Sequence, residues 1–195
     1  YAGGDVSIED LIADENVVIT ISHAGYIKRT NLSEYKTQNR GGVGQKSAGT
    51  RDQDFLEHLF VATNHQYMMF FTQKGKCFWM RVYEIPEGTK TSKGRAIQNL
   101  VNIESDDKVK AFICTQDLKD QDYINSHYVI MATKKGQVKK TLLEQYSRPR
   151  VNGINAITIR EDDELLEAKL TNGESQVLLA VKSGKMVRFE ESKTR

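Results

Sequence analysis

A chain of 195 residues with 38% hydrophobic and 28% charged side chains can bury one substantial core, and this composition excludes a wholly disordered polypeptide. The formal net charge of +2 excludes a uniformly polycationic protein, so affinity for a polyanion has to come from where the charges sit rather than from their sum. Cys77 and Cys114 lie in separate apolar runs and form no CxxC pair, which reads as buried thiols in a reducing compartment.

No signal peptide opens the sequence, and no apolar run approaches the ~18 residues a spanning helix needs, so a cytoplasmic protein with no membrane partner is expected. The Asn31-Leu32-Ser33 sequon then reads as accidental. Val6 to Ala13, with Ser7 in an N-cap position and Glu9 and Asp10 in a first turn, is the one stretch with helical start signals, and residues 1–16 read as a lead-in segment. From there the chain repeats itself. Four β-prone runs, at 17–21, 67–71, 128–132 and 177–181, each lead into a polar turn carrying a glycine: Gly25, Gly75, Gly136 and Gly184, spaced by 50, 61 and 48 residues. An apolar side chain stands two residues after each glycine (Ile27, Cys77, Val138, Met186), and another stands seven after the first three (Leu32, Val82, Leu143). Glycine in the last turn position supplies the left-handed residue that a bulged hairpin turn demands. The pattern is one hairpin written four times.

After the first three anchors comes a second glycine, at Gly42, Gly94 and Gly153, and then an acidic turn at Asp54, Asp107 and Asp163 that opens a further apolar strand. Each repeat therefore reads as about four strands. Four short strands per unit of about 50 residues is the pattern of propeller blades, whereas no long window keeps a capped 3.6-residue period. The expected architecture is all-β, a partial propeller-like ring of about three to four blades over 17–66, 67–127, 128–176 and an incomplete 177–195.

The first repeat carries a glycine-rich heptapeptide, Gln38-Asn39-Arg40-Gly41-Gly42-Val43-Gly44, followed by Lys46. Its backbone freedom suits either a phosphate-cradling loop or a tight crossing between strands. Residues 42–47 graze a Walker A loop and a dinucleotide fingerprint but lack the glycine before Lys46 and a glycine at 47, and no helical pattern follows. His23, His58, His65 and His127 have no ligand spacing with one another or with the cysteines, so no metal site is expected. Phe78 and Trp79 fall in strand positions and read as core, while Tyr35, Tyr146 and the equivalent Ile85 read as packing residues, so no catalytic residue is nominated.

Charge is patterned more sharply than composition suggests. The window from Lys134 to Arg150 holds Lys134, Lys135, Lys139, Lys140, Arg148 and Arg150 against the single acid Glu144. Acids gather at Glu104, Asp106 and Asp107 and again at 161–164. Segregated on different sides, these sets would leave a basic face for a polyanion. The same cations recur per repeat: Lys28 and Arg29, then Lys74 and Lys76, with Lys90, Lys93 and Arg95 in the later loop. Periodic charge of this kind can offset the cost of bending duplex DNA through contacts to phosphates rather than bases.

The lead-in Leu11-Ile12-Ala13, the strand Val17 to Thr20, Gly25-Tyr26-Ile27-Lys28-Arg29 and the heptapeptide together resemble the start of the carboxy-terminal domain of the DNA gyrase A protein. Phe70-Phe71-Thr72 with Gly75, Thr91-Ser92-Lys93-Gly94-Arg95 with Asn99-Leu100, and Val187-Arg188-Phe189 extend the resemblance over nearly the whole chain. It implies a β-pinwheel that binds and wraps duplex DNA on its rim in support of negative supercoiling. That family carries a box of the form Gln-Arg-Arg-Gly-Gly-Lys-Gly. Gln38, Arg40, Gly41, Gly42 and Gly44 match it, whereas Asn39 stands where arginine is expected and Val43 where a basic residue is expected, with Lys36 and Lys46 near by. The resemblance also implies partners, namely double-stranded DNA, the gyrase B protein, and the amino-terminal part of the gyrase A protein itself, in an A2B2 holoenzyme in the bacterial nucleoid. ATP and magnesium would be used on other domains of that holoenzyme, with no cofactor or small-molecule substrate held by this chain. Retention of Gln38 and the Gly-Gly-x-Gly core favours gyrase over topoisomerase IV, the related alternative. A propeller serving only as a protein-interaction scaffold is the third reading.

Overall fold

Three antiparallel hairpins set the framework: β1 (Asn16–Ser22) with β2 (Tyr26–Asn31), β4 (Tyr67–Thr72) with β5 (Lys76–Arg81), and β8 (Tyr128–Thr133) with β9 (Val138–Leu142). The structure, a computed structural model, describes residues 8–36, 56–172, 176–180 and 186–190. The first two of the expected anchors, and Gly136, take φ of 90°, 90° and 91°. Each turn is closed in the same way. The glycine N–H donates to the carbonyl three residues back, on Ser22, Thr72 and Thr133, at 3.0, 2.9 and 3.0 Å. The hydroxyl of that same residue then accepts the amide of Tyr26, Lys76 or Gln137 at 3.1, 3.1 and 3.0 Å. A serine or threonine closing the strand thus satisfies a turn donor that would otherwise be lost.

The chain separates into two compact units. The first comprises the described residues up to Gln66 together with Met80–Leu100. Its sheet runs β3-β1-β2-β6, where β3 is Leu56–Thr63 and β6 is the two-residue strand Arg95–Ala96. Residues 17–21 of β1 are all buried, as expected of a central strand whose two faces are both covered. At the lead-in, the expected helical start is a single 3-10 turn, Ile8–Leu11, with Glu9 and Asp10 in it. The turn is held by Arg81, whose guanidinium pairs with Glu9 at 2.5 Å and donates to the His65 carbonyl at 2.7 Å.

The second unit comprises Tyr67–Trp79 and the described residues from Val101 on. It holds a sheet in the order β10-β5-β4-β7 and a sheet in the order β11-β8-β9. Here β7 is Val109–Thr115, β10 is Ile154–Asn155 and β11 is Leu165–Thr171. A two-stranded antiparallel pair is formed by β12 (Gln176–Ala180) and β13 (Met186–Glu190), while Gly184, the expected fourth anchor between them, lies outside the described residues. An apolar cluster in the unit has Met69, Phe71, Cys77, Val129, Leu143, Ile157 and Leu165 fully enclosed, the Met, Phe, Val, Leu and Ile side chains each contributing about 1.5–3 kcal/mol by leaving water, and a smaller cluster joins Ile130 and Ala132. The only α-helices among the described residues are α1 (Leu32–Lys36) and α2 (Gln121–Ile124), so the all-β expectation holds. Cys77 is buried as expected and Cys114 is half-buried, and burial raises both thiols, Cys114 to about 11.

The sheets differ from the sequence repeats in one respect. A blade is not a contiguous stretch, because the fourth strand of the first sheet, β6, comes from after the second hairpin, and that of the second sheet, β10, from after the third. The two exchanges are built alike. Tyr26 and Ile27 pair with Ala96 and Arg95, and Lys76 and Cys77 pair with Asn155 and Ile154. The hairpin glycine carbonyl then accepts the next amide, Ile97 N to Gly25 O at 2.9 Å and Ala156 N to Gly75 O at 2.8 Å.

Candidate nucleic-acid interface

The heptapeptide Gln38-Asn39-Arg40-Gly41-Gly42-Val43-Gly44 and Lys46 lie outside the described residues. Its sequence counterparts, Gly94 and Gly153, are described, and both hold positive φ, 86° and 71°. A Cβ on Gly94 would stand 2.5 Å from the Ile27 carbonyl oxygen, so this position needs glycine for the loop to reach β2 at all. The second glycine of each described repeat is therefore a close-approach residue that lets an exchanged strand dock.

In the first unit the loop from Pro86 to Arg95 is laid along β2 and carries the cations Lys90, Lys93 and Arg95. Arg29 N donates to Pro86 O and Gly88 N to Arg29 O, both at 2.9 Å, and Thr30 Oγ1 donates to Gly88 O at 3.1 Å. Lys28 and Arg29, expected on the rim, turn their charge inward. Lys28 is only 8% exposed, and Arg29 is half-buried with Nε donating to the Ile85 carbonyl at 3.1 Å. Burial lowers the Lys28 pKa from the usual lysine value, with the Glu34 carboxylate opposing. Lys93 stands over the Tyr26 ring at 4.3 Å and Lys90 over the Tyr35 ring at 4.8 Å, so each ammonium is steadied by an aromatic face. Lys93 and Arg95 are exposed.

In the second unit the cations divide into two sets. Lys74 pairs with Glu104 at 3.3 Å and Asp106 at 2.5 Å, Lys76 pairs with Glu104 at 3.1 Å, and Lys135 pairs with Asp162. Hydrogen bonds from these lysines are the main reason that the Glu104, Asp106 and Asp162 carboxyls sit below their ordinary pKa. The acidic clusters are thus not on a separate side from the hairpin lysines: they are seated on them. The missed signal was in the sequence, since an acidic pair (Asp106-Asp107, Asp162-Asp163) recurs in successive repeats. The other set points elsewhere. Lys139 donates to the Ala156 carbonyl at 3.0 Å and Lys140 stands over the Tyr128 ring at 4.2 Å, while Lys134 and Arg150 are exposed; Arg148 belongs with the first set, pairing with Glu144 at 2.7 Å. Among the described residues no carboxylate pairs with Lys93, Arg95, Lys134 or Arg150. The tyrosine platforms Tyr26, Tyr35 and Tyr128 also escaped sequence reading, because the pairs Lys93–Tyr26 and Lys90–Tyr35 join distant segments.

The aromatic residues assigned to the core are there. Phe78 is buried and Trp79 half-buried, with its indole N–H donating to the Tyr146 carbonyl at 3.0 Å. Tyr146 and Ile85 are buried at equivalent places in their repeats. Surface cations held by aromatic faces and loop backbone can bind extended anions through contacts to their charged groups.

The family described as "DNA gyrase C-terminal domain, beta-propeller" matches residues 16–63, 66–116 and 127–172, one stretch per repeat. Among curated proteins, the chain is 42% identical to the DNA gyrase A protein of Neisseria gonorrhoeae over 97% of its length and 41% identical to that of Escherichia coli over 98%. It spans about a fifth of those relatives, 20% and 21%. A solved C-terminal domain of DNA topoisomerase IV superposes with a TM-score of 0.73 at 29% identity, covering 93% of this chain and 53% of that one. A DNA gyrase A C-terminal domain matches in fold with a TM-score of 0.67 at 22% identity, covering 93% and 56%.

Proposed function

Since the chain belongs to the DNA gyrase C-terminal domain, beta-propeller family, we propose that it binds duplex DNA without sequence preference and wraps it, supporting negative supercoiling by a gyrase holoenzyme. One observation carries this reading. The loops that follow successive hairpins bear cations not taken up by carboxylates, Lys93 and Arg95 in one and Arg150 in the next. Duplex DNA resists bending over ~50 nm, so curving it costs several kcal/mol, which must be offset by contacts distributed along the backbone. Each phosphate neutralised releases counterions and needs no particular base. Lys90, Lys134 and Lys140 are further candidate phosphate contacts in this reading, as is the heptapeptide from Gln38 to Gly44, with Arg40 and Lys46 as its charges. Lys74, Lys76, Lys135 and Arg148 contribute less because carboxylates already neutralise them.

In this reading the chain performs no cleavage. Strand breakage, ATP and magnesium belong to the gyrase B protein and to other parts of the gyrase A protein, joined in an A2B2 assembly in the bacterial nucleoid. A topoisomerase IV component is the second reading, favoured by the 0.73 superposition on that enzyme's domain.

The test is titration of the chain with linear duplex DNA of ~150 base pairs at two salt concentrations, with bending followed by end-to-end energy transfer. Binding that weakens steeply with salt and brings the ends together is expected. Absence of binding at low salt would instead support a protein-interaction scaffold.

A further inference from the structure

The ammonium of Lys28 is enclosed by three backbone carbonyls of one loop: Thr89 O at 2.9 Å, Lys90 O at 2.7 Å and Ser92 O at 2.7 Å. A lysine has three N–H donors, and here all three are spent within four residues of chain. The aliphatic stem is packed as closely. A Cβ on Gly94 would meet the Lys28 Cβ at 3.1 Å, and one on Gly88 would meet it at 3.4 Å, so both ends of the loop rest on the lysine. A buried cation is costly unless its hydrogen bonds are complete, which makes this arrangement a constraint on the loop rather than a chance contact. The loop it constrains is the one that presents Lys90, Lys93 and Arg95. In the next repeat the equivalent position is Phe78, whose ring lies 2.8 Å from where a Cβ on Gly153 would be, so a different side chain props the loop there.

We propose that Lys28 is a positioning residue for anion binding: it makes no phosphate contact itself but fixes the backbone of residues 89–94 so that Lys90, Lys93 and Arg95 are held ready for the phosphates of duplex DNA. This inference rests on the DNA-wrapping reading. It differs from a rim role for Lys28 in a measurable way, because a positioning residue acts only through the residues it positions.

The experiment is a mutant cycle on the chain, with linear duplex DNA as probe and affinity measured across salt concentrations. Lys28→Met alone should weaken binding by on the order of tenfold at low salt and flatten the salt dependence as loop contacts are lost. In a Lys90→Ala, Lys93→Ala, Arg95→Ala background it should change neither affinity nor slope. A further loss of about 0.9 in slope in that background would mean that Lys28 touches phosphate, and an unchanged affinity in the parent would mean that the loop needs no prop; either overturns the proposal. Amide hydrogen exchange over 89–94, measured without DNA, should quicken in Lys28→Met while the β1 amides stay protected. Thr30→Val, which removes only the bond to Gly88 O, should act in the same direction more weakly and serves if Lys28→Met does not fold. A parent chain that binds no DNA would sink the wrapping reading and this inference together, whereas a binding parent with unchanged loop exchange in both variants would sink this inference alone.

Discussion

Asp163 reaches back 28 residues to hold the tip of the third hairpin: its Oδ1 accepts the Lys135 amide at 2.9 Å while also accepting that of Glu164 at 2.8 Å. Asp107 does the same for the second hairpin, accepting the amides of Lys74 at 3.1 Å and Lys108 at 2.9 Å. Burial pushes the Asp163 carboxyl upward, but hydrogen bonds from Thr133 and from those amides outweigh it and leave the pKa below the ordinary value. A depressed carboxyl contributes stability above its unfolded pKa, about 3.9, and loses it as pH falls through the folded value. Asp163→Ala should therefore cost about 1 kcal/mol near neutral pH, modest because the carboxylate is partly solvated. Thermal unfolding at pH 7 and pH 3 checks this: the gap between parent and variant should narrow in acid, and a constant gap would remove the carboxylate from the account.

Two glycines of nearly equal φ should respond unequally to alanine. Gly136 has nothing within 4 Å of a new Cβ, so Gly136→Ala meets only the left-handed strain of about 1–2 kcal/mol. Gly94→Ala adds a collision with the Ile27 carbonyl and should displace β6 as well. Denaturant titration of both variants reads the difference, and equal losses would mean that the close approach at Gly94 is unimportant.

Neutralising acids should strengthen DNA binding. In Glu104→Gln with Asp106→Asn, Lys74 and Lys76 are released from their carboxylates, and the salt slope should steepen by up to about 1.8 if both reach phosphates. Titration at graded salt measures it. An unchanged slope would place the second hairpin away from the DNA path.

Most of the strand plan was legible, because the alternation of apolar runs and glycine turns is local: the hairpins at Gly25, Gly75 and Gly136 stand where the spacing put them. What was not legible depends on partners far along the chain. Lys28 reads as a surface cation beside Arg29, and only the three carbonyls at 89, 90 and 92 show it to be interior. Lys74 reads as free until Asp106 folds onto it. Strand exchange was hidden for a similar reason, since Arg95–Ala96 is two residues long and carries no β signature of its own.

Trp79 gives an optical test of the aromatic assignment, being the one tryptophan in the sequence. With its indole N–H committed to the Tyr146 carbonyl, DNA addition should leave its emission nearly unchanged, while unfolding shifts it to the red. Trp79→Phe should cost about 1–2 kcal/mol through the unpaired carbonyl, read by circular dichroism during denaturation. Strong quenching by DNA would indicate base stacking instead.

The order in which the ribosome delivers the chain meets the exchanged strands awkwardly. The first sheet cannot receive its last strand until Ala96 has been made, nor the second until Asn155 has. At about 5–20 residues per second, the roughly 65 residues from the end of β2 to Ala96 take some 3–13 s to appear. Throughout that interval Tyr26 and Ile27 offer an open strand edge, the feature through which nascent chains pair with the wrong neighbour. Each of these two sheets is finished one repeat late, and the hazard of misassembly is greatest during synthesis rather than in the folded protein.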